Sequence, residues 1–198
     1  MRVVGQEEYG VRAGELARAY EGVRFEDVHR EVLPHLPPPG ARVLDLGAGS
    51  GRDAAALAGR GYRVVAVEPT DALRDVGREL HPESGVQWVD AALPEVGGVS
   101  GVFDLVLLSA VWMHLDEGER RTGMARLREL VAAPGGKVVI TLRHGPPPEG
   151  RRMFDVPADE TIALAQEHGL VLVQRSGNPD RMGRPLVHWD ALVFEVVG

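Results

Sequence analysis

Seven short apolar runs, separated by segments of helical character, restrict this fold more than any other feature of the sequence. They cover residues 42–46, 63–67, 86–90, 103–109, 137–142, 170–175 and 187–196. Several, such as "FDLVLLSA", are apolar at almost every position, which is how a strand reads when helices cover both faces of a parallel sheet. Strands alternating with helices of about ten to fifteen residues build right-handed βαβ units. The fold class expected is α/β, with a doubly wound, seven-stranded, mostly parallel sheet. The last two runs break the rule, because only "SGNPDRMGRPL" separates them. No helix fits there, so they form an antiparallel hairpin across a long loop, and the last strand runs against the rest.

The helical segments carry readable ends. Asp116 followed by Glu119 predicts a capping box for a helix over 117–131, which "APGG" stops. Pro157 opens a helix over 159–168, and Gly169 terminates it. Two irregular stretches remain, "PHLPPPGA" at 34–41 and "RHGPPPEGRR" at 143–152. Residues 1–33 read as an N-terminal helical extension to a core over 41–198, with neither an internal repeat nor a second domain.

Composition narrows the chemistry. A chain of 198 residues, 44% hydrophobic and 26% charged, suits one domain that buries about 70% of its unfolded surface. It has no run of about 18 apolar residues that would cross a bilayer. The early acids of "MRVVGQEEYG" argue against a secretory signal, so a cytoplasmic protein with no membrane partner is expected. The absence of cysteine removes disulfides, thiolate metal sites and thiol nucleophiles, and no metal site is expected. A formal net charge of −7 gives no footprint for a phosphate backbone. A small molecule is therefore the expected partner and nucleic acid is not; the oligomeric state is left open.

The chemistry gathers at "VLDLGAGSGRDAAALA", a strand, a glycine turn and an alanine-rich helix. Glycines at 47, 49 and 51 permit positive φ and close backbone approach to a ligand, while the helix start offers free amide donors. Spacing separates two cofactor classes. A dinucleotide fingerprint wants a third glycine at position 52, where this chain has Arg52, and the pattern after Asp45 is D-x-G-x-G-x-G instead. The second strand then ends on a carboxylate in "VAVEPT". Glu68 falls beside the glycine turn at the carboxyl edge of the sheet, where its two oxygens can accept both hydroxyls of a ribose. Asp90, in "VQWVDAALP", extends that edge, placed to accept from an adenine amine, with the amide of Ala91 next to it.

Over residues 41–142 the chain resembles the class I S-adenosylmethionine-dependent methyltransferases. The resemblance rests on "VLDLGAGSG", "VAVEP", "VDAALP", "FDLVLLSAVWMHL" and "APGGKVVITL", in the order and spacing of that family. It implies S-adenosyl-L-methionine as cofactor and the same antiparallel final hairpin. By resemblance Asp45, Gly47 and Gly49 border the methionine part, Glu68 the ribose hydroxyls, and Asp90 and Ala91 the adenine, with Ala48 and Pro69 also among the cofactor-binding residues. Ser109 falls near the sulfonium, and Tyr20, with Tyr9 as the weaker choice, closes over the cofactor. The implied activity is in-line displacement that moves a methyl group to a small-molecule acceptor.

For the acceptor side, His114 is a candidate general base by position and ordinary pKa, with packing as its alternative role. His144, after the fifth strand, is a second candidate, with a solvated loop histidine as the alternative. His188 and Trp189 read as core or edge residues. Arg181 and Arg184 could bind an acidic acceptor. "SAVW" stands where DNA amino-methylating relatives carry an NPPY-type tetrapeptide, which argues against DNA amines. Two other functions stay open. One is an NAD(P)-dependent oxidoreductase, opposed by Arg52 and by the lack of a Tyr-x-x-x-Lys pair; the other is a catalytically inactive cofactor-binding regulatory subunit.

Overall fold

A computed structural model describes residues 6–148 and 150–197 of the chain. In chain order the elements are α1 (Gln6–Val11), α2 (Ala13–Glu21), α3 (Phe25–Val28), β1 (Arg42–Leu46), α4 (Arg52–Ala58), β2 (Arg63–Val67) and α5 (Asp71–Leu80). They continue with β3 (Gln87–Val89), β4 (Leu105–Leu108), α6 (Glu117–Leu130), β5 (Lys137–His144), α7 (Ala158–Glu167), β6 (Leu170–Pro179) and β7 (His188–Val196). Single 3₁₀ turns lie at Leu33–His35 and Trp112–His114.

One seven-stranded sheet runs in the order β3-β2-β1-β4-β5-β7-β6. β1 pairs in parallel with both β2 and β4, β4 with β5 and β2 with β3, while β7 is antiparallel to β5 and β6. The chain winds outward from β1 to β3 and then returns to β4 on the other side of β1. That reversal opens a crevice at the carboxyl ends of β1 and β4, the usual ligand position of such sheets.

Alternation of side chains along the strands gives the sheet two apolar faces. Leu44, Val106, Val138 and Ile140 pack beneath Met124, Leu127 and Leu130 of α6 and Leu164 and Ala165 of α7. Val43, Val64, Leu105 and Val139 face Ala54 and Leu57 of α4, together with Phe25 and Val32 of the N-terminal segment. Each of these large buried side chains contributes about 1.5–3 kcal/mol by leaving water. α6 starts as expected: Asp116 accepts from the Glu119 amide at 2.9 Å, and the Glu119 carboxylate accepts from the Asp116 amide at 2.7 Å.

The structure moves several boundaries by one residue and three strand ends by two or more. Residue 103 is only an isolated bridge partner of Val131, so β4 starts at Leu105. β5 runs on to His144, because β7 pairs with it position by position out to His188. β6 continues to Pro179, so residues 176–179, expected in the loop, are paired with β7 residues Ala191 to His188. The connection between β6 and β7 is thus 180–187. Among the described residues no helix is long and apolar enough to cross a membrane.

Candidate functional site

A cavity of about 300 Å³ opens at the carboxyl ends of β1, β2, β4 and β5. Its floor is the turn after β1. The amides of Gly47 and Ala48 donate to the carbonyl of Val67 at 2.7 and 3.0 Å, tying the turn to the end of β2. Gly47 has φ +74°, and a Cβ there would stand 2.4 Å from Cγ2 of Val111. Both the backbone angle and the space require glycine at this position.

Glu68, 6% exposed, is the hinge of the wall. Its Oε2 accepts from the amide of Gly49 at 3.0 Å and its Oε1 from the amide of Thr70 at 2.9 Å. Arg74 donates to its backbone carbonyl. Burial raises the pKa of Glu68, while the bonds from Thr70 and Gly49 and the charge of Arg74 work the other way. The side chain of Thr70 bonds the carboxylate as well, and of its roughly four acceptor sites one is left for a ligand hydroxyl.

Asp45, at the same edge on β1, is buried to 1% exposure, and its Oδ2 has no hydrogen-bond partner among the described residues. Burial raises its pKa well above the carboxylate range, the neighbouring Asp53 adds to this, and Arg52 opposes it. Asp53 is differently placed. Burial pushes it up too, but His29 and Arg52 outweigh that, with contacts of 2.9 Å to Oδ2 and 2.7 Å to Oδ1, and hold it below the carboxylate range. His29 thereby clips the N-terminal segment to α4. Glu21 at the end of α2 does the same for the turn, accepting from the Ser50 hydroxyl at 2.7 Å and meeting His81 at 3.2 Å.

Beyond β4, Ala110 has φ +61°, a left-handed conformation that costs a non-glycine residue about 1–2 kcal/mol. Its amide donates to Oγ1 of Thr141 on β5 at 2.8 Å, which holds the bend over the cavity. His114 follows on the 3₁₀ turn. Its Nδ1 faces the carbonyl of Arg152 at 2.7 Å, so Nδ1 carries the proton of the neutral ring. Nε2 then accepts from the hydroxyl of Tyr9 at 3.2 Å. Burial lowers the pKa of His114, and Arg151, Arg152 and Arg143 add to that against the carbonyl contact. The ring is therefore held neutral and its basic nitrogen is shared with a phenol.

The cavity brings together Tyr20, Asp45, Gly47, Ala48, Gly49, Glu68, Pro69, Ala91, Ser109 and His114. Asp90 and His144 do not line it. Asp90 stands at the mouth with its side chain 68% exposed and meets the buried Arg74 at 3.1 Å. His144 sits on β5 one residue past Arg143, and the two-residue alternation turns it to the opposite face. There it meets Asp155 at 3.1 Å and stacks on His188 at 4.8 Å.

From sequence, the arginines of "RHGPPPEGRR" read as a solvated charged stretch, with recognition of an anion as the alternative; the structure puts Arg143, Arg151 and Arg152 on the wall, together with Thr141 and Asn178, which sequence reasoning missed. For Thr141 and Arg143 the signal was the parity of β5: both share a face with Val139, and Arg143 pairs across to Trp189. It becomes usable only once β5 is known to extend past Leu142.

Comparison with known proteins agrees with this geometry. A family profile described as a methyltransferase domain matches residues 43–136. A demethylmenaquinone methyltransferase from Clavibacter sepedonicus is 36% identical over 122 residues, 61% of this chain and 49% of that protein. An uncharacterized methyltransferase from Mycobacterium tuberculosis is 36% identical over 168 residues, 85% of this chain and 61% of that protein. The chain thus spans about half to three-fifths of the length of these curated relatives. A crystal structure of a TehB-like SAM-dependent methyltransferase from Corynebacterium glutamicum superposes with a TM-score of 0.68 at 25% identity, covering 96% of this chain and 97% of that one. The sheet order with its reversed last strand, the glycine turn joined to a carboxylate at the end of β2, and these relatives lead to one conclusion: the chain belongs to the class I S-adenosylmethionine-dependent methyltransferases.

Proposed function

We propose that this chain transfers a methyl group from S-adenosylmethionine to a small-molecule acceptor. The observation that carries the reading is the pair of buried acids on one cavity wall, Asp45 with an orphaned oxygen and Glu68 with accepting capacity left beyond its bonds to Gly49 and Thr70. An unpaired buried carboxylate costs stability unless a ligand donor meets it. The amino group of a methionine moiety suits Asp45, and a ribose hydroxyl suits Glu68. The glycine turn supplies room for the backbone to approach. Ala91, Ala92, Leu93 and Leu73 offer an apolar slot beyond Glu68 that suits an adenine ring, whereas Asp90 faces solvent and Arg74.

S-adenosylmethionine supplies a methyl already activated on a sulfonium, so the protein's task is orientation and exclusion of water. Tyr20, whose ring edge lies 3.5 Å from where a Gly49 Cβ would stand, covers the turn. His114, kept neutral, accepts a proton at Nε2 from an acceptor hydroxyl or amine, either directly or through the Tyr9 hydroxyl. The relative named for demethylmenaquinone supports a small organic acceptor. The test is liquid chromatography and mass spectrometry of the purified protein for co-bound S-adenosylhomocysteine, followed by incubation with methyl-labelled S-adenosylmethionine and pooled small-molecule extracts. Labelled product in a low-mass fraction supports the proposal; label that stays on the cofactor in every pool contradicts it.

A further inference from the structure

One side chain on the cavity wall has no role in that reading. Arg143 is 6% exposed on β5. Nη1 donates to the carbonyl of Gly145 at 3.1 Å and Nη2 to that of Pro146 at 2.9 Å. Nε is buried with no partner among the described residues, and there each terminal nitrogen has a single acceptor, the carbonyls just named. No carboxylate lies within ion-pair distance of this guanidinium among the described residues. A buried charge without a counter-charge is costly, which makes such a group a marker for an anion that arrives from outside.

The nearby acids are already committed. Asp180 accepts from Arg184 at 2.6 Å and from Nε1 of Trp189 at 3.0 Å. Asp190 meets Arg175 at 3.3 Å and His144 at 3.4 Å. Asp116 and Glu119 hold Arg152 at 2.8 and 2.9 Å. A second wall guanidinium, Arg151, rests on the ring of Tyr9 at 4.7 Å and also lacks an ion-pair carboxylate among the described residues. Burial, then repulsion from Arg184, with Arg151 as a lesser contributor, pushes the pKa of Arg143 below the ordinary arginine range, and only Asp180 opposes. This basic patch stands in a chain whose formal net charge is −7. It is therefore a local feature of the cavity and not a reflection of composition.

Position assigns the patch to the acceptor. The acidic wall formed by Asp45 and Glu68 lies on β1 and β2, and Arg143 lies on β5, two strands beyond β1 in the sheet order. Trp189, directly opposite Arg143 on β7, and Met153, Met182 and Pro179 give that end an apolar surface among its charged and polar lining residues. Resting on the methyltransferase reading above, we propose that the methyl acceptor is an organic anion, with an apolar body against Trp189 and a carboxylate or phosphate paired with the fork of Arg143. A guanidinium binds either group through two parallel hydrogen bonds.

Calorimetry with benzoate, phenyl phosphate and the neutral benzamide, each with and without saturating S-adenosylhomocysteine, tests this. Benzoate or phenyl phosphate should bind at least about tenfold more tightly than benzamide, and whichever of the two wins identifies the anion. Arg143→Gln should abolish that preference while leaving S-adenosylhomocysteine affinity within about twofold, and Arg143→Lys should keep a weaker preference. Equal binding of the three probes, binding of none, or a preference that survives Arg143→Gln would overturn the proposal. Should Arg143→Gln not fold, the wild-type discrimination and its loss with added salt decide the matter. Failure of S-adenosylhomocysteine itself to bind would instead count against the cofactor reading, since the anion preference is read separately.

Discussion

The carboxylate of Glu68 accepts the amide of Gly49 at 3.0 Å, so the acid that ends β2 holds the turn that follows β1. One side chain thus sets the shape of the cavity floor and also presents a lone pair to a ligand. Glu68→Gln keeps the size but halves the accepting capacity. The amide can still accept from Gly49 or from Thr70, but its NH₂ end then opposes the other N–H. Cofactor affinity should fall about tenfold or more and folding stability by about 1–3 kcal/mol. Titration calorimetry and urea unfolding check the two effects separately. Affinity unchanged in a folded variant would make Glu68 a scaffold residue only.

Gly47 makes a sharper demand. Gly47→Ala places a Cβ 2.4 Å from Val111 Cγ2 at φ +74°, combining a steric clash with a backbone strain of about 1–2 kcal/mol. Val111→Ala in the same chain should recover the clash but not the strain. A double-mutant cycle by chemical denaturation measures this coupling. Additive effects would mean that the turn moves freely away from Val111.

His114 carries the pH dependence. Its folded-state pKa lies below the ordinary value of 6.5, so the unfolded chain takes up a proton first as pH falls. Stability from this residue is complete above about pH 6.5 and is lost as pH drops through the folded pKa. Melting temperatures taken between about pH 5 and 8 should therefore fall more steeply toward acid for the wild type than for His114→Gln. Parallel curves would contradict the burial. If Nε2 receives the acceptor's proton, His114→Ala lowers turnover by roughly a hundredfold with cofactor affinity nearly intact. A loss of activity that only follows the folded fraction would leave it a packing residue.

What could be read from the sequence divides along a physical line. β1 and β2 were bounded correctly because turn residues with fixed backbone demands flank them, and the same demands exposed Gly47, Gly49 and Glu68. The sheet's reversed last strand followed from the lack of any helix-length segment between β6 and β7. The acceptor end was legible only in part: His114, Arg181 and Arg184 were read as candidates and line the cavity, but the inward facing of Thr141 and Arg143 is set by register and not by type. Arg143 faces the cavity only because β5 continues two residues beyond its apolar run to pair with Trp189 and His188. Tyr9 reaches His114 across 105 positions of sequence, and no local pattern encodes that approach. The same alternation placed His144 away from the cavity.

Occupation of the cavity at the carboxyl ends of β1, β2 and β4 by S-adenosylmethionine is tested most directly by a thermal-shift titration of the full chain with S-adenosylhomocysteine and, in parallel, NAD. At about a hundred times its dissociation constant a ligand that binds only the native state adds about 2.7 kcal/mol, a rise of several degrees for a domain of this size. The expected result is a concentration-dependent rise with S-adenosylhomocysteine, reduced in Glu68→Gln, and none with NAD. A rise with NAD and none with S-adenosylhomocysteine would contradict the account.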